Sequence, residues 1–356
     1  MSRPGIKGII RYFQDHEPDN QEIGDIWFDT KWNRCKIWDG FNWIRTWNVG
    51  LYTSYGYCCG GNSGNRFSTI DRVTFPFDSG TAIHVGNLSG SRDGTASCNS
   101  SNYGYCMGGN DGSNFLSTID RITFPFDSGT ASHAGNLSGS RGHIAGCNSS
   151  NYGYCMGGWI GSHISIIDRI TFPFDSGTSS HVGNLSTNRY GLSTCNSSNY
   201  GYAMSGHESS VYPTTIDRIE FPFDSGTASH VGDLTQNQEF AAGFNSSEYG
   251  FCCGGHYINS STMRSTISRL QFPFNSGTAS YVGNLSGSRD AVSGCNSTSH
   301  GFVMGGGMLN GTGYYSIVER LTFPFDSGST SVVGSLSGSR RFTAGVDGTD
   351  FVALFA

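Results

Sequence analysis

The sequence has no unbroken apolar run of about 20 residues, so nothing in it reads as a membrane-spanning helix. Charge is scarce: Asp, Glu, Lys and Arg make up 13% of the 356 residues, about half the usual share. Lysine is nearly missing, with Lys7, Lys31 and Lys36 and none thereafter. The net charge of −6 and the lack of a basic block argue against a nucleic-acid binder held by phosphate contacts. The N-terminus, Met1 to Lys7, has no apolar segment, so no signal peptide is visible and the eleven cysteines are expected as reduced thiols. No C-x-x-C pair exists, which speaks against a zinc site. Glycine lacks the three-residue period of collagen, and 13% aromatics are too many for a disordered chain.

What the sequence does have is repetition. Phe-Pro-Phe-Asp-Ser-Gly starts at Phe75, Phe124, Phe172, Phe221 and Phe323, with an Asn275 variant starting at Phe272. Each copy of about 50 residues carries four short runs separated by turn signals, which predicts four antiparallel strands, A to D. In one copy, strand A is Thr95-Ala96-Ser97-Cys98 and strand B is Tyr103-Gly104-Tyr105-Cys106-Met107. Strand C is Ile119-Asp120-Arg121-Ile122-Thr123, and strand D contains Ala131-Ser132-His133-Ala134. Four-stranded units repeated at this length predict an all-β chain folded as a β-propeller. The 52 glycines recur at the same repeat positions, among them the Gly-Gly doublets that end strand B, such as Gly108-Gly109.

Six C–D pairs but seven A–B segments can be counted. The expected arrangement is therefore seven blades, the last taking A and B from the C-terminus and C and D from residues 25–45. The alternative is six blades plus a small N-terminal β module. The boundaries are residues 1–47 for an N-terminal β segment, serving virion attachment or ring closure, and residues 48–356 for the propeller.

Two resemblances follow. The Gly-Gly doublets, with Arg92, Arg141, Arg189, Arg289 and Arg340 after strand D, resemble the kelch repeat family, which implies the fold and little about function. Gly24-Asp25-Ile26-Trp27 and Asp39-Gly40-Phe41-Asn42-Trp43 look like a short β motif of bacteriophage tail-fibre and virion proteins. The Phe-Pro-Phe-Asp-Ser-Gly repeats are similar to propellers of phage structural proteins, especially those of cyanobacterial phages. This implies a location in the virion, other virion or tail proteins as partners, and a trimer by analogy with fibres.

The chemical constellations are mostly repeated, whereas catalysis needs asymmetry. The cysteines interchange with Ala, Val, Met and Phe, as buried apolar residues do. His84, His133, His181 and His230 share one strand D position on separate blades and are expected half-exposed. Asp-Ser-Gly at Asp78 and its copies is similar to the core of the sialidase Asp-box, itself a turn device in which Asp binds local N–H groups. Arg72, Arg121, Arg169, Arg218, Arg269 and Arg320 are expected to make charge-assisted hydrogen bonds to blade carboxylates or carbonyls. The eleven Asn-x-Ser/Thr sequons repeat with the turns and are not taken as glycan sites. No metal and no cofactor is expected.

Asymmetry lies in the B–C loops and in the D–A connections just after the D-end Arg. Both should emerge on one end of the ring, opposite the near-constant A–B and C–D turns. The candidate binding residues on this face are Phe67, Phe115, Trp159, His163, His207, Tyr212, Tyr257, Tyr314 and Tyr315 from the B–C loops. His143, Tyr190, Phe240 and Arg341 join them from the D–A connections. Exposed aromatic rings there would stack on sugars or anchor a protein. The expected function is non-enzymatic recognition of a host surface glycan or of another virion protein. The alternative is a glycan hydrolase or lyase at the channel mouth, for which Asp93, Glu208, Glu239 and Asp290 are the available loop carboxylates.

Overall fold

The computed structural model describes residues 10–14, 16–19, 21–22, 25–29, 34–38, 40–45, 54–209, 213–257, 262–308 and 313–348. All regular elements among them are β-strands. The chain divides into two compact units, one drawn chiefly from Met1–Thr53 and the other from Ser54–Phe351.

In the first unit, β1 (Ile10–Gln14) runs parallel to β2 (Ile26–Asp29). Strands β3 (Arg34–Trp38) and β4 (Trp43–Arg45) continue from β2 as an antiparallel meander. The tryptophans supply its packing. Trp43 meets Trp27 and Trp38 at ring separations of 5.5 Å, and the Lys36 ammonium sits 4.0 Å from the centre of the Trp27 ring.

The second unit is a six-bladed propeller. Blade 1 consists of β5 (Tyr55–Cys59), β6 (Thr69–Thr74), β7 (Ile83–Asn87) and, innermost, the final strand Ala344–Gly348. Blade 2 is β8 (Ala96–Asn99), β9 (Tyr103–Met107), β10 (Thr118–Thr123) and β11 (Ser132–Asn136). Blades 3 to 6 repeat this order over residues 145–184, 193–233, 242–284 and 293–335. Each innermost strand contacts the next around a closed ring.

The blade count corrects the seven-blade expectation. The residues around Trp27 and Trp38 form their own sheet with β1, and they donate no strands to the ring. Instead the final strand pairs with β5, from Ala344 opposite Cys59 to Gly348 opposite Tyr55. Among the described residues the first repeat supplies strands B, C and D and the last supplies strand A, and together they make one blade. This pairing covers the inner edge of β5, which has β6 on its other side.

Strand B is buried on both faces because blades pack against it from either side. Six core clusters fill the six spaces between adjacent blades. The Tyr-Gly-Tyr pattern follows from this crowding. A Cβ on Gly104 would lie 2.5 Å from Val346 Cγ1 and 3.0 Å from Phe124 Cζ. The aromatic after that glycine stacks on the Phe of the next blade's Phe-Pro, as Tyr105 does on Phe172 at 5.3 Å. The Tyr105 hydroxyl also accepts the Phe174 N–H at 2.9 Å.

Two rings of arginine stitch the blades. Arg72, Arg121, Arg169, Arg269 and Arg320 each pair with the Asp-Ser-Gly aspartate of the following blade, and Arg218 reaches Asn275. The repeated arginine therefore takes the structural role expected of it. The aspartate of that turn serves the neighbouring blade rather than closing its own turn. The second ring is buried: Arg92–Asp120 at 2.8 Å, Arg141–Asp168 at 3.1 Å, Arg189–Asp217 at 2.8 Å, Arg340–Asp71 at 3.0 Å, and Arg289 with Glu319. In blade 5 both partners change together, to Gln238 and Ser268, both buried. A guanidinium or a carboxylate left alone there would be an uncompensated buried charge.

The repeated cysteines and histidines are structural. The ten described cysteines are free and buried. Cys98 and Cys106 do not face each other across their hairpin, because the register sets Cys98 opposite Tyr105 and Cys106 opposite Ser97. His84, His181 and His230 place Nε2 2.9–3.0 Å from the carbonyl oxygen two residues on.

Candidate functional site

The variable segments converge on one end of the ring. In each blade the residue after the D-end position forms a backbone bridge with the first residue of the B–C loop. The pairs are Arg341 with Asn62, Asp93 with Asn110, Gly142 with Trp159, Tyr190 with His207, Glu239 with His256, and Asp290 with Gly307. Side chains then cross to the following blade. Asn62 Nδ2 donates to the Asp93 carboxylate, and His256 Nδ1 lies 3.0 Å from an Asp290 oxygen. These twelve positions form a belt around the channel mouth.

One residue further along, a second ring closes the mouth. Gly94, His143, Gly191, Phe240, Ala291 and Phe342 all adopt left-handed backbone, with φ between 52° and 64°. The N–H groups of Gly94, His143, Gly191, Phe240 and Phe342 each donate to the carbonyl of the preceding blade's ring residue, at 2.7–3.0 Å. Large and small side chains alternate around this ring. His143, Phe240 and Phe342 come from alternate blades and meet over the axis, with ring separations of 5.3 Å, 5.2 Å and 4.9 Å. Gly94 and Gly191 leave room for them; a Cβ on Gly94 would lie 2.9 Å from His143 Nδ1. Burial holds the His143 imidazole below its ordinary value, outweighing the pull of Asp93. Two expected binding residues, His143 and Phe240, thus act first as a plug. Four left-handed non-glycine residues in one ring mark strain that the surrounding blades must hold.

Beside the plug lies an aromatic cluster from blades 3 and 4. Blade 3 extends its central hairpin, Tyr152–Trp159 with His163–Thr171, so Trp159 stands opposite His163 across the strands. Trp159 meets His163 at 4.9 Å and Tyr190 at 5.3 Å, and His163 meets His207 at 5.0 Å. The Tyr190 hydroxyl is 2.8 Å from His207 Nδ1. Burial, then the neighbouring His207, lower the His163 value. Tyr190 also touches Phe240 at 5.8 Å and His143 at 5.9 Å, so cluster and plug are continuous. All four cluster side chains are half-buried.

The remaining candidates are dispersed. Tyr257 lies under Arg264 and Tyr314 under Arg341, at 5.4 Å and 5.5 Å, on other sectors of the face. Phe67, Phe115 and Tyr315 are half-buried, and their loops fold back onto Gly61, Gly109 and Gly306 through backbone hydrogen bonds of Phe67, Leu116 and Tyr315. Tyr212 lies outside the described residues.

Sequence reasoning missed a buried trio. His256 lies with Nε2 2.8 Å from Glu239 Oε1 and Nδ1 3.0 Å from Asp290 Oδ2, and all three side chains are buried. Although burial opposes protonation, the two carboxylates push the imidazole up to about 9. Writing the belt residues in ring order (His207, Glu239, His256, Asp290) would have exposed it. Both carboxylates are committed to one imidazolium, while Asp93 faces Asn62 and the Arg66 Nε at 3.4 Å. Among the described residues no group of His, Cys, Asp and Glu is arranged to hold a metal ion.

The other end of the ring is uniform. Four turns carry Asn-Ser-Ser and one Asn296-Ser297-Thr298, together lining a funnel of about 950 Å³. Comparison with protein-family models and with curated proteins finds no match to this chain.

Proposed function

We propose that this chain is a non-enzymatic recognition protein of a bacteriophage virion, associated with the tail or its fibres, whose loop face binds a host surface glycan. The observation that carries the reading is the Trp159–His163–Tyr190–His207 cluster on the individualised face. Aromatic planes held by a rigid scaffold lose little entropy on binding and offer stacking surfaces for the apolar faces of sugar rings. The imidazoles and the tyrosine hydroxyl add directional polar contacts. Because His143, Phe240 and Phe342 fill the axis, the ligand lies across the face rather than threading the channel.

The location in a virion rests on the resemblance of the N-terminal segment and of the repeats. The committed state of Glu239, Asp290 and Asp93 favours binding without turnover.

A glycan array probed with the full chain, with reducing-end release followed in parallel, tests the reading. Binding without release is expected, lost at least tenfold in Trp159→Ala and Tyr190→Ala. Release of reducing ends, or binding indifferent to both substitutions, would overturn it. Labelling of the loop face in an imaged particle tests the location.

A further inference from the structure

The uniform end of the channel is built as a ring of hydrogen-bond donors. Each innermost strand places the same position at the neck: Asn99, Asn148, Asn196, Asn245 and Asn296, with Asp347 in blade 1. The N–H of Asn99 donates to Asn148 Oδ1 at 3.2 Å, that of Asn148 to Asn196 at 3.4 Å, and that of Asn196 to Asn245 at 3.2 Å. Asn245 continues to Asn296 at 3.3 Å, and Asn296 to Asp347 at 2.7 Å. The direction of these bonds fixes the amides of Asn148, Asn196, Asn245 and Asn296. A backbone N–H can only donate, so the atom facing the preceding blade is Oδ1 and the free end is Nδ2.

These five asparagines line both the channel, about 330 Å³, and the funnel outside it. No hydrogen bond among the described residues engages their Nδ2 groups. Ser100 and its equivalents are spent on their own turns, as where Tyr103 N–H donates to Ser100 Oγ at 3.2 Å. The described lining of the funnel contains only Asn, Ser and Thr. Four amide donors of fixed orientation, with the Asn99 amide beside them, therefore circle the axis with no acceptor among the described residues to use them.

We propose that this neck binds an oxyanion group (a carboxylate, sulfate or phosphate) presented along the ring axis. The Nδ2 donors of the five asparagines would hold it, and Asp347 would be the position that opposes it. An oxyanion has enough lone pairs to use several convergent donors, as a single hydroxyl or carbonyl does not. When ionised, the Asp347 carboxylate repels such a group; when protonated, it adds a sixth donor. Desolvation raises its carboxyl to about 7, against the Asn296 N–H that lowers it. Against the final strand pack Cys295 of blade 6, Tyr55, Tyr57, Cys58 and Cys59 of blade 1, and Cys98, Tyr103, Tyr105 and Cys106 of blade 2. None of these is a cation, so among the described residues Asp347 sets the charge of the neck.

Calorimetric titration of the full chain with inorganic sulfate, phosphate and acetate at pH 6 and pH 8 tests the site. A sulfated disaccharide and an acidic peptide separate a free ion from a ligand's terminal group. The affinity for the preferred anion should fall about tenfold from pH 6 to pH 8, since only the protonated neck binds well. Asp347→Asn, which completes the amide ring, should remove that fall and bind at pH 8 as the native chain does at pH 6. Asn148→Asp keeps the acceptor for the Asn99 N–H but replaces a donor with charge, and should lose binding at least tenfold at pH 8. Both are near-isosteric, and thermal melting of each establishes that the ring is intact. Absence of binding by all five probes would overturn the proposal. So would tighter anion binding by Asn148→Asp, or weaker by Asp347→Asn.

Discussion

Replacing the buried Glu239–His256–Asp290 trio by Gln, Gln and Asn tests the electrostatic account of the loop face most sharply. In the native chain His256 sits between two buried carboxylates, and its imidazole is pushed from the ordinary 6.5 to about 9. A displacement of that size corresponds to ~3 kcal/mol of preference for the imidazolium in the folded state. Because the folded value is the higher one, the contribution is fully present below pH 6.5. It drains away as pH rises toward 9, where the folded state releases the proton it had kept. The assay is denaturant unfolding of the native and triple-substituted chains between pH 5.5 and pH 9.5. Their stability difference should shrink by ~3 kcal/mol across that window, equivalent to ~5 °C in Tm for a domain of this size. At pH 9.5 the neutral trio should equal or exceed the native one, since buried ion clusters seldom outperform well-packed neutral replacements. Thiol titration above pH 8.5 affects both chains and cancels in the difference. A difference that stays flat from pH 6.5 to pH 9 would refute the assignment of His256 as an imidazolium.

Gln238→Arg alone should cost ~3–5 kcal/mol by burying an unpaired guanidinium, and adding Ser268→Asp should recover most of it. A double-mutant cycle by urea unfolding checks this, with no coupling as the negative result. Gly345→Ala drives a Cβ to 2.0 Å from the Gly294 carbonyl oxygen, a backbone atom that cannot swing aside. It should lose ~2–3 kcal/mol or more, whereas Gly338→Ala, with open space around it, should stay within ~0.5 kcal/mol in the same assay. The described cysteines are buried, and burial pushes the thiols of Cys98, Cys195 and Cys295 well up. They should react with a thiol reagent at pH 8 only in denaturant, and rapid labelling of any of the three in the native chain would contradict the packing.

Much of this architecture was legible in the sequence because a repeat reports the same constraint six times. The strand grammar, the pairing of Arg72 and its copies with carboxylates, and the sharing of one end by the B–C and D–A segments all follow from local pattern, whereas the reach of those arginines to the following blade does not. Blade number was less accessible. Trp27 and Trp38 fit a loose C–D pattern, and only the pairing of Ala344–Gly348 with β5 shows that the ring closes without them. The plug was invisible for a different reason. His143, Phe240 and Phe342 stand far apart in sequence, and a propeller alone brings every second blade's D–A residue to a common axis. The His256 trio joins a B–C residue to D–A residues of two adjacent blades, and no spacing rule within one repeat contains that information. The sequons show the converse. Asn148 and Asn196 look like modification signals, but their amide oxygens are committed to neighbouring backbones.

The division between the two ends has a physical origin. At the A–B end, the asparagine side chains reach back to the preceding blade's strand and accept its N–H, so the residue cannot vary without orphaning a donor. At the loop end, the mouth ring is joined through the main chain: Gly94, His143, Gly191, Phe240 and Phe342 donate through their N–H groups. Side chains there are released from the task of closing the ring. They are limited only by the space over the axis, which admits three large residues alternating with small ones. Variation is thus tolerated where the main chain does the joining and suppressed where side chains do it. Evolving a new ligand specificity on this scaffold should accordingly change Trp159, His163, Tyr190 and His207 freely. Transplanting their equivalents onto another blade should preserve folding as long as the alternation at the mouth is kept. A second bulky residue beside the plug, such as Gly94→Phe, combines left-handed strain with a contact at 2.9 Å to His143. It should destabilise the propeller by more than ~3 kcal/mol. If Gly94→Phe instead melts at the native temperature, the mouth is not closed by packing, and the glycan reading loses its argument that the ligand must lie across the face.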